Sequence, residues 1–174
     1  MGSSENQIRQ GGSPAHRTEA TTTAPDHWRY ARHLEALAAA AGTAVVAEAD
    51  TVAAVLRDSD PVMAESAVVT HLDRRAAHLL PDARFPGWAR AMDTAIGARA
   101  FPARRLREWT LLKAISDGEP WSATELTAAS DWCQRTAAQS LSSYEALDLL
   151  AARARTRRVR NAAAQRLNRR NIPG

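Results

Sequence analysis

The chain has 174 residues, enough for one domain with a real core and too few for two ordinary ones. Apolar residues make up 45% of it, which excludes global disorder, and a lone cysteine, Cys133, excludes an intrachain disulfide and a thiolate metal cluster. The net charge of +4 conceals an asymmetry: no acidic residue follows Asp148, so the last 26 residues carry eight arginines and no carboxylate, while the rest has 15 basic and 19 acidic side chains.

Residues 1–25, with Gly11-Gly12-Ser13-Pro14 and Thr21-Thr22-Thr23, hold too little apolar surface to offset the entropy of ordering and are predicted to be a disordered tail. An all-α domain is predicted over 26–170. Asp26 is the expected cap of a first helix with Trp28, Ala31, Leu34, Leu37, Ala38 and Ala41 on one face, and Gly42 is placed for a left-handed stop. A second helix is expected from Ala44 to Arg57 with Val45, Ala49, Val52 and Leu56 as its stripe. Asp60 with Pro61 signals the start of a third, whose inner face is Val68, Leu72, Ala76 and Leu79 and which Pro81 ends. Phe85 to Gly97 reads as a fourth. Pro102 to Gly118 reads as a fifth, with Leu106, Trp109, Leu112 and Ile115 inward.

Two capping boxes follow, Ser122 with Glu125 and Ser142 with Glu145. They open a sixth helix through Leu126, Ala129, Trp132, Cys133 and Ala137, and a seventh through Leu147, Leu150 and Ala151. Thr156 caps the last, with Val159, Ala163 and Leu167 inward. No segment alternates with period two, so about eight antiparallel helices are expected in an irregular bundle or a short solenoid. No apolar run is long enough to span a membrane and no leader pattern is seen, so a cytoplasmic location is expected. An Ala- and Arg-rich composition with one lysine, Lys113, fits a high-GC bacterial coding sequence.

Two stretches resemble HEAT-type helical repeats, in which helix pairs stack side by side. One is Ala146-Leu147-Asp148-Leu149-Leu150 followed by Val159-Arg160-Asn161-Ala162-Ala163 to Leu167. The other runs from Val52 to Leu72 through Val55-Leu56-Arg57-Asp58-Ser59-Asp60-Pro61, but has Met63 for the usual Val and Ala64 at the usual Arg position. The resemblance implies stacked antiparallel helix pairs.

Arg153, Arg155, Arg157, Arg158, Arg160, Arg166, Arg169 and Arg170 are the candidate partner-binding residues, since a guanidinium cluster suits an acidic protein surface, self-association or phosphate. The expected role is a non-enzymatic scaffold or adaptor that presents this surface to an acidic partner. The alternative is a nucleic-acid-binding protein that contacts phosphates through the same arginines. A winged-helix arrangement is a further alternative, with Leu111–Ser116, Ser122–Ser130 and Trp132 onward as its helices and Thr156–Arg160 as the wing. The new cap at Ser142 and the helical spacing beyond Val159 weigh against it. His71, Asp73 and His78 share a helix, but Asp73 points away from the two histidines and Arg74 and Arg75 intervene, so no metal or cofactor is expected. Cys133 falls on an inward stripe with no histidine after His78, and no phosphate-cradling or catalytic-triad spacing occurs, so no catalytic residue is assigned. Trp28, Trp109, Trp121 and Trp132 are expected mainly in the core, with Trp121 able to staple the start of its helix and Trp28 an alternative exposed anchor.

Overall fold

Asp60 accepts the Met63 amide at 3.0 Å and Pro61 opens the helix behind it, so the local start signal is realised as read. The computed structural model describes residues 26–170, the side chains of 26, 27 and 170 excepted, and the predicted tail over 1–25 lies outside them. Among the described residues there are helices and turns and no strand: α1 (Asp26–Ala40), α2 (Val45–Val55), α3 (Pro61–Leu79), α4 (Phe85–Ile96), α5 (Ala100–Asp117), α6 (Ala123–Ala128), α7 (Asp131–Ser140), α8 (Tyr144–Arg153) and α9 (Arg157–Arg170). None of them is long and apolar enough to cross a membrane.

The helices stack in two rows. The odd-numbered helices follow one another, α1 on α3, α3 on α5, α5 on α7 and α7 on α9. In the second row α2 packs on α4 and α6 on α8. The core is one continuous cluster along the rows. It begins at Leu37, Val52 and Leu56, passes through Leu72, Phe85, Trp88 and Met92 to Leu112 and Leu126, and ends at Leu147, Leu150, Val159 and Ala163. The inner faces read for α3 and α5 are all buried, and Gly118, at φ +73°, ends α5 in the left-handed conformation that glycine tolerates best.

Several expectations are corrected. Trp28 is 62% exposed, because α1 turns Leu37 and Ala40 inward, with Tyr30 and Leu34 partly buried beside them. Gly42 has no positive φ; Thr43 instead closes the end of α1, its amide and its hydroxyl both donating to the Ala40 carbonyl. The buried stripe of α2 is Glu48, Val52 and Val55, with Leu56 just beyond, while Val45 is exposed. The single sixth helix is two. Ser130 caps α7 by accepting the Cys133 amide at 3.2 Å, and its own amide is held by Glu108 of α5 at 2.9 Å, so a neighbouring helix stabilises the break. The cap of α8 is Ser143, which accepts from Ala146 at 3.3 Å, one residue after the serine expected, because Leu141 is extended and buried and the helix begins at Tyr144. The α5–α6–α7 succession matches the three helices of the winged-helix alternative, but the segment assigned to a wing caps and begins α9.

Candidate functional site

The last helix is built to be held rigidly and to show one face. Thr156 accepts the Val159 amide at 3.3 Å, and Val159, Ala163 and Leu167 are buried against the body, most extensively against α8. Two of the arginines singled out by sequence anchor it. Arg160 turns back to donate to the Ala154 carbonyl at 2.7 Å, and Arg166 donates to the Ala138 carbonyl of α7 at 3.0 Å. The turn into the helix is fastened by Gln134, fully buried, which accepts the Arg155 amide at 2.9 Å and donates to the Leu126 and Thr127 carbonyls at 3.0 and 2.9 Å. A single side chain thus ties α6, α7 and the α8–α9 turn together. The sequence offers no sign of it beyond a glutamine on an inward stripe.

With Arg160 and Arg166 committed to carbonyls, the exposed members of the cluster are Arg153, Arg155, Arg157, Arg158 and Arg169; the Arg170 side chain is not described. Arg155 lies 3.7 Å from Asp131, an exposed pair that contributes little. Arg153, Arg157, Arg158 and Arg169 make no ion pair or side-chain hydrogen bond among the described residues. The outer face of α9 is completed by Asn161, Gln165 and Asn168, also exposed and unbonded. These amides escape a reading that looks only for charge. Their spacing from Arg157 by four, eight and eleven residues is the signal that places them on one face. Along α7, which α9 follows, Arg135 and Gln139 are exposed as well.

The interior polar groups bind helices to one another. Glu48 is fully buried and accepts hydrogen bonds from His71 at 2.9 Å, Trp88 at 2.9 Å and the Nε and Nη2 of Arg75 at 3.1 and 3.2 Å, which joins α2, α3 and α4. Burial pushes this carboxyl upward, but the His71, Arg75 and Trp88 hydrogen bonds and the Arg75 charge outweigh it, and the carboxyl stands below the ordinary glutamate value. Asp73 accepts from Arg105 and from the Trp109 indole at 2.8 Å, joining α3 to α5. The Arg105 guanidinium lies 3.6 Å above the centre of the Trp132 ring, which meets Trp109 edge-on. Trp109 is core as expected, and Trp121 and Trp132 are partly buried against it.

His71 and Asp73 therefore serve separate networks and His78 is exposed; among the described residues no group of His, Cys, Asp or Glu is placed to hold a metal. Cys133 is buried, and burial, with smaller influences from nearby charges, pushes its thiol up to about 12, the opposite of what a nucleophile needs. An open groove of about 540 Å³ between α4 and α5 is lined by Phe85, Ala89, Leu106 and Thr110, with Arg90 and Lys113 beside them. The Lys113 ammonium is occupied by Asp117 at 2.8 Å. Compared with protein-family models, with curated proteins and with solved structures, the chain shows no match.

Proposed function

We propose that this chain is a non-enzymatic nucleic-acid-binding protein that contacts phosphates through the exposed face of α9 and the arginines next to it. The observation that carries this reading is the face itself: Arg157, Arg158, Asn161, Gln165, Asn168 and Arg169 are exposed on a docked helix without one carboxylate, and none of them is engaged within the described chain. Arginine offers a planar pair of donors to phosphate oxygens, and a face free of acidic groups does not repel a polyanion. An acidic protein partner, which composition alone favours, is less well supported. Stable protein interfaces centre on an aromatic or aliphatic anchor, and the exposed Trp28, Phe101 and Tyr144 belong to α1, α5 and α8, not to this face. The body is then a rigid mount. Its alternate-helix packing supports a short α-solenoid of the kind HEAT repeats build, with α8 and α9 as the most intimate pair.

The test is fluorescence anisotropy of a labelled random-sequence duplex titrated with protein at a series of salt concentrations. Micromolar binding at low salt is expected, weakening linearly on a log–log plot. Changing Arg157, Arg158 and Arg169 together to Ala should lower the slope by about 0.9 for each phosphate that is no longer neutralised. Exposed Arg74 and Arg90, on α3 and α4, provide the control substitutions. No binding at low salt, or equal loss in the control variant, would overturn the reading.

A further inference from the structure

The α9 face is not uniformly basic, and the order of residue types along it carries a second conclusion. Arginines stand at both ends, Arg157 and Arg158 at the first and Arg169 at the last, with the amides of Asn161 and Gln165 between them and Asn168 beside Arg169. We infer that the ligand is double-stranded DNA, that α9 lies in its major groove, and that Asn161 and Gln165 confer a sequence preference. This inference rests on the phosphate-binding reading above and goes beyond it.

Dimensions support it. At 1.5 Å per residue α9 is about 21 Å long, and Arg158 and Arg169 are separated by about 16 Å along its axis. The major groove of B-form DNA is about 12 Å wide and admits a helix, so guanidiniums at the two ends reach the phosphates on its lips while the middle of the helix faces base edges. At that middle stand the residue types that pair with adenine through two hydrogen bonds, one donated to N7 and one accepted from the N6 amino group. A plain solvated face needs no such order, and glutamate or aspartate, frequent on such faces, is absent from α9 altogether.

Other nucleic acids fit less well. The major groove of A-form RNA is too deep and narrow to be read by side chains. Single strands are held by stacking on aromatic rings, and the sequence contains no aromatic residue after Tyr144. Rigidity favours readout too, because the helix is held by its buried stripe, by the Thr156 cap and by the Arg166 bond to α7. Beside it, exposed Arg135 and Gln139 on α7 extend the polar surface without adding an aromatic platform.

The experiment is selection of duplexes from a randomised DNA library with the full chain. Anisotropy titrations then compare a selected duplex, its scrambled counterpart, the same sequence as duplex RNA, and the single strand. The wild type is expected to prefer the selected duplex by about tenfold or more for each base that is read. Asn161→Ala and Gln165→Ala should each erode that preference, weakening the selected duplex by about tenfold or more and the scrambled duplex far less. Both positions are exposed, so neither change should disturb folding, which circular dichroism of each variant verifies. Duplex binding with no enriched sequence, or a preference indifferent to both amides, overturns the inference and leaves the phosphate reading standing. Duplex RNA or single strands bound as tightly as duplex DNA overturn it as well, and absence of all binding overturns both.

Discussion

Replacing Glu48 by Ala removes the one acceptor on which donors from two other helices converge. Each hydrogen bond to a charged group contributes about 1.5–3 kcal/mol, but the bonds to Glu48 share one carboxylate and cannot be summed. What is left behind decides the magnitude. Arg75 keeps 19% of its side chain exposed and can turn to water, whereas Trp88, 1% exposed, and His71, 4% exposed, cannot. Two buried donors without partners cost about 1–3 kcal/mol each, so a loss of about 2–6 kcal/mol is expected, which brackets the roughly 3–5 kcal/mol found when one member of a buried ion pair is removed. That is a large share of the roughly 5–15 kcal/mol that holds a domain folded. Equilibrium urea unfolding followed by far-ultraviolet circular dichroism measures it, with the slope against denaturant serving as the check that both variants unfold from a comparable compact state. A loss under about 1 kcal/mol would refute the reasoning, since it would mean that water already satisfies these donors.

Glu48 should also contribute to stability against acid. Its carboxyl titrates lower in the folded state than the ordinary 4.5, so its contribution is fully present above that value and is lost as pH falls through the folded value. Denaturant midpoints of the wild type should drop steeply below about pH 4.5, and those of Glu48→Gln more gently; parallel curves would remove Glu48 from the account. Leu167→Ala should destabilise by about 2–4 kcal/mol if α9 is docked through its buried stripe, and an effect near zero in urea unfolding would show that it is not. Ser143→Ala should cost about 1 kcal/mol through loss of the α8 cap, and no change in the thermal midpoint would contradict that bond. Cys133 should react with a thiol reagent only on unfolding, since its thiol is buried and pushed up to about 12; rapid labelling of the native protein would sink that expectation.

The elements that the sequence specified well are those with short-range causes. Proline at the first position of α3, a glycine able to take a positive φ after α5, and serine and threonine caps before α6 and α9 act within three or four residues, and each is found where local chemistry puts it. The all-α class, the inner faces of α3 and α5 and the buried stripe of α9 were legible for the same reason, because a helix's period relates neighbours along the chain.

Tertiary structure decided what depends on partners far apart in sequence. Glu48 is inside because His71, Arg75 and Trp88 come to it from two other helices, and an isolated glutamate in α2 reads as surface. The break between α6 and α7 is stabilised by Glu108, 22 residues away. Helical spacing puts Arg160 and Arg166 on the flanks of the buried stripe and Arg157, Arg158 and Arg169 opposite it, but it does not show that the first two reach the Ala154 and Ala138 carbonyls. Composition placed the positive charge at the end of the chain. Only the docking of α9 on α7 and α8 divided it into anchors and a presented face, because a guanidinium's role is set by which acceptor the folded chain brings within its reach.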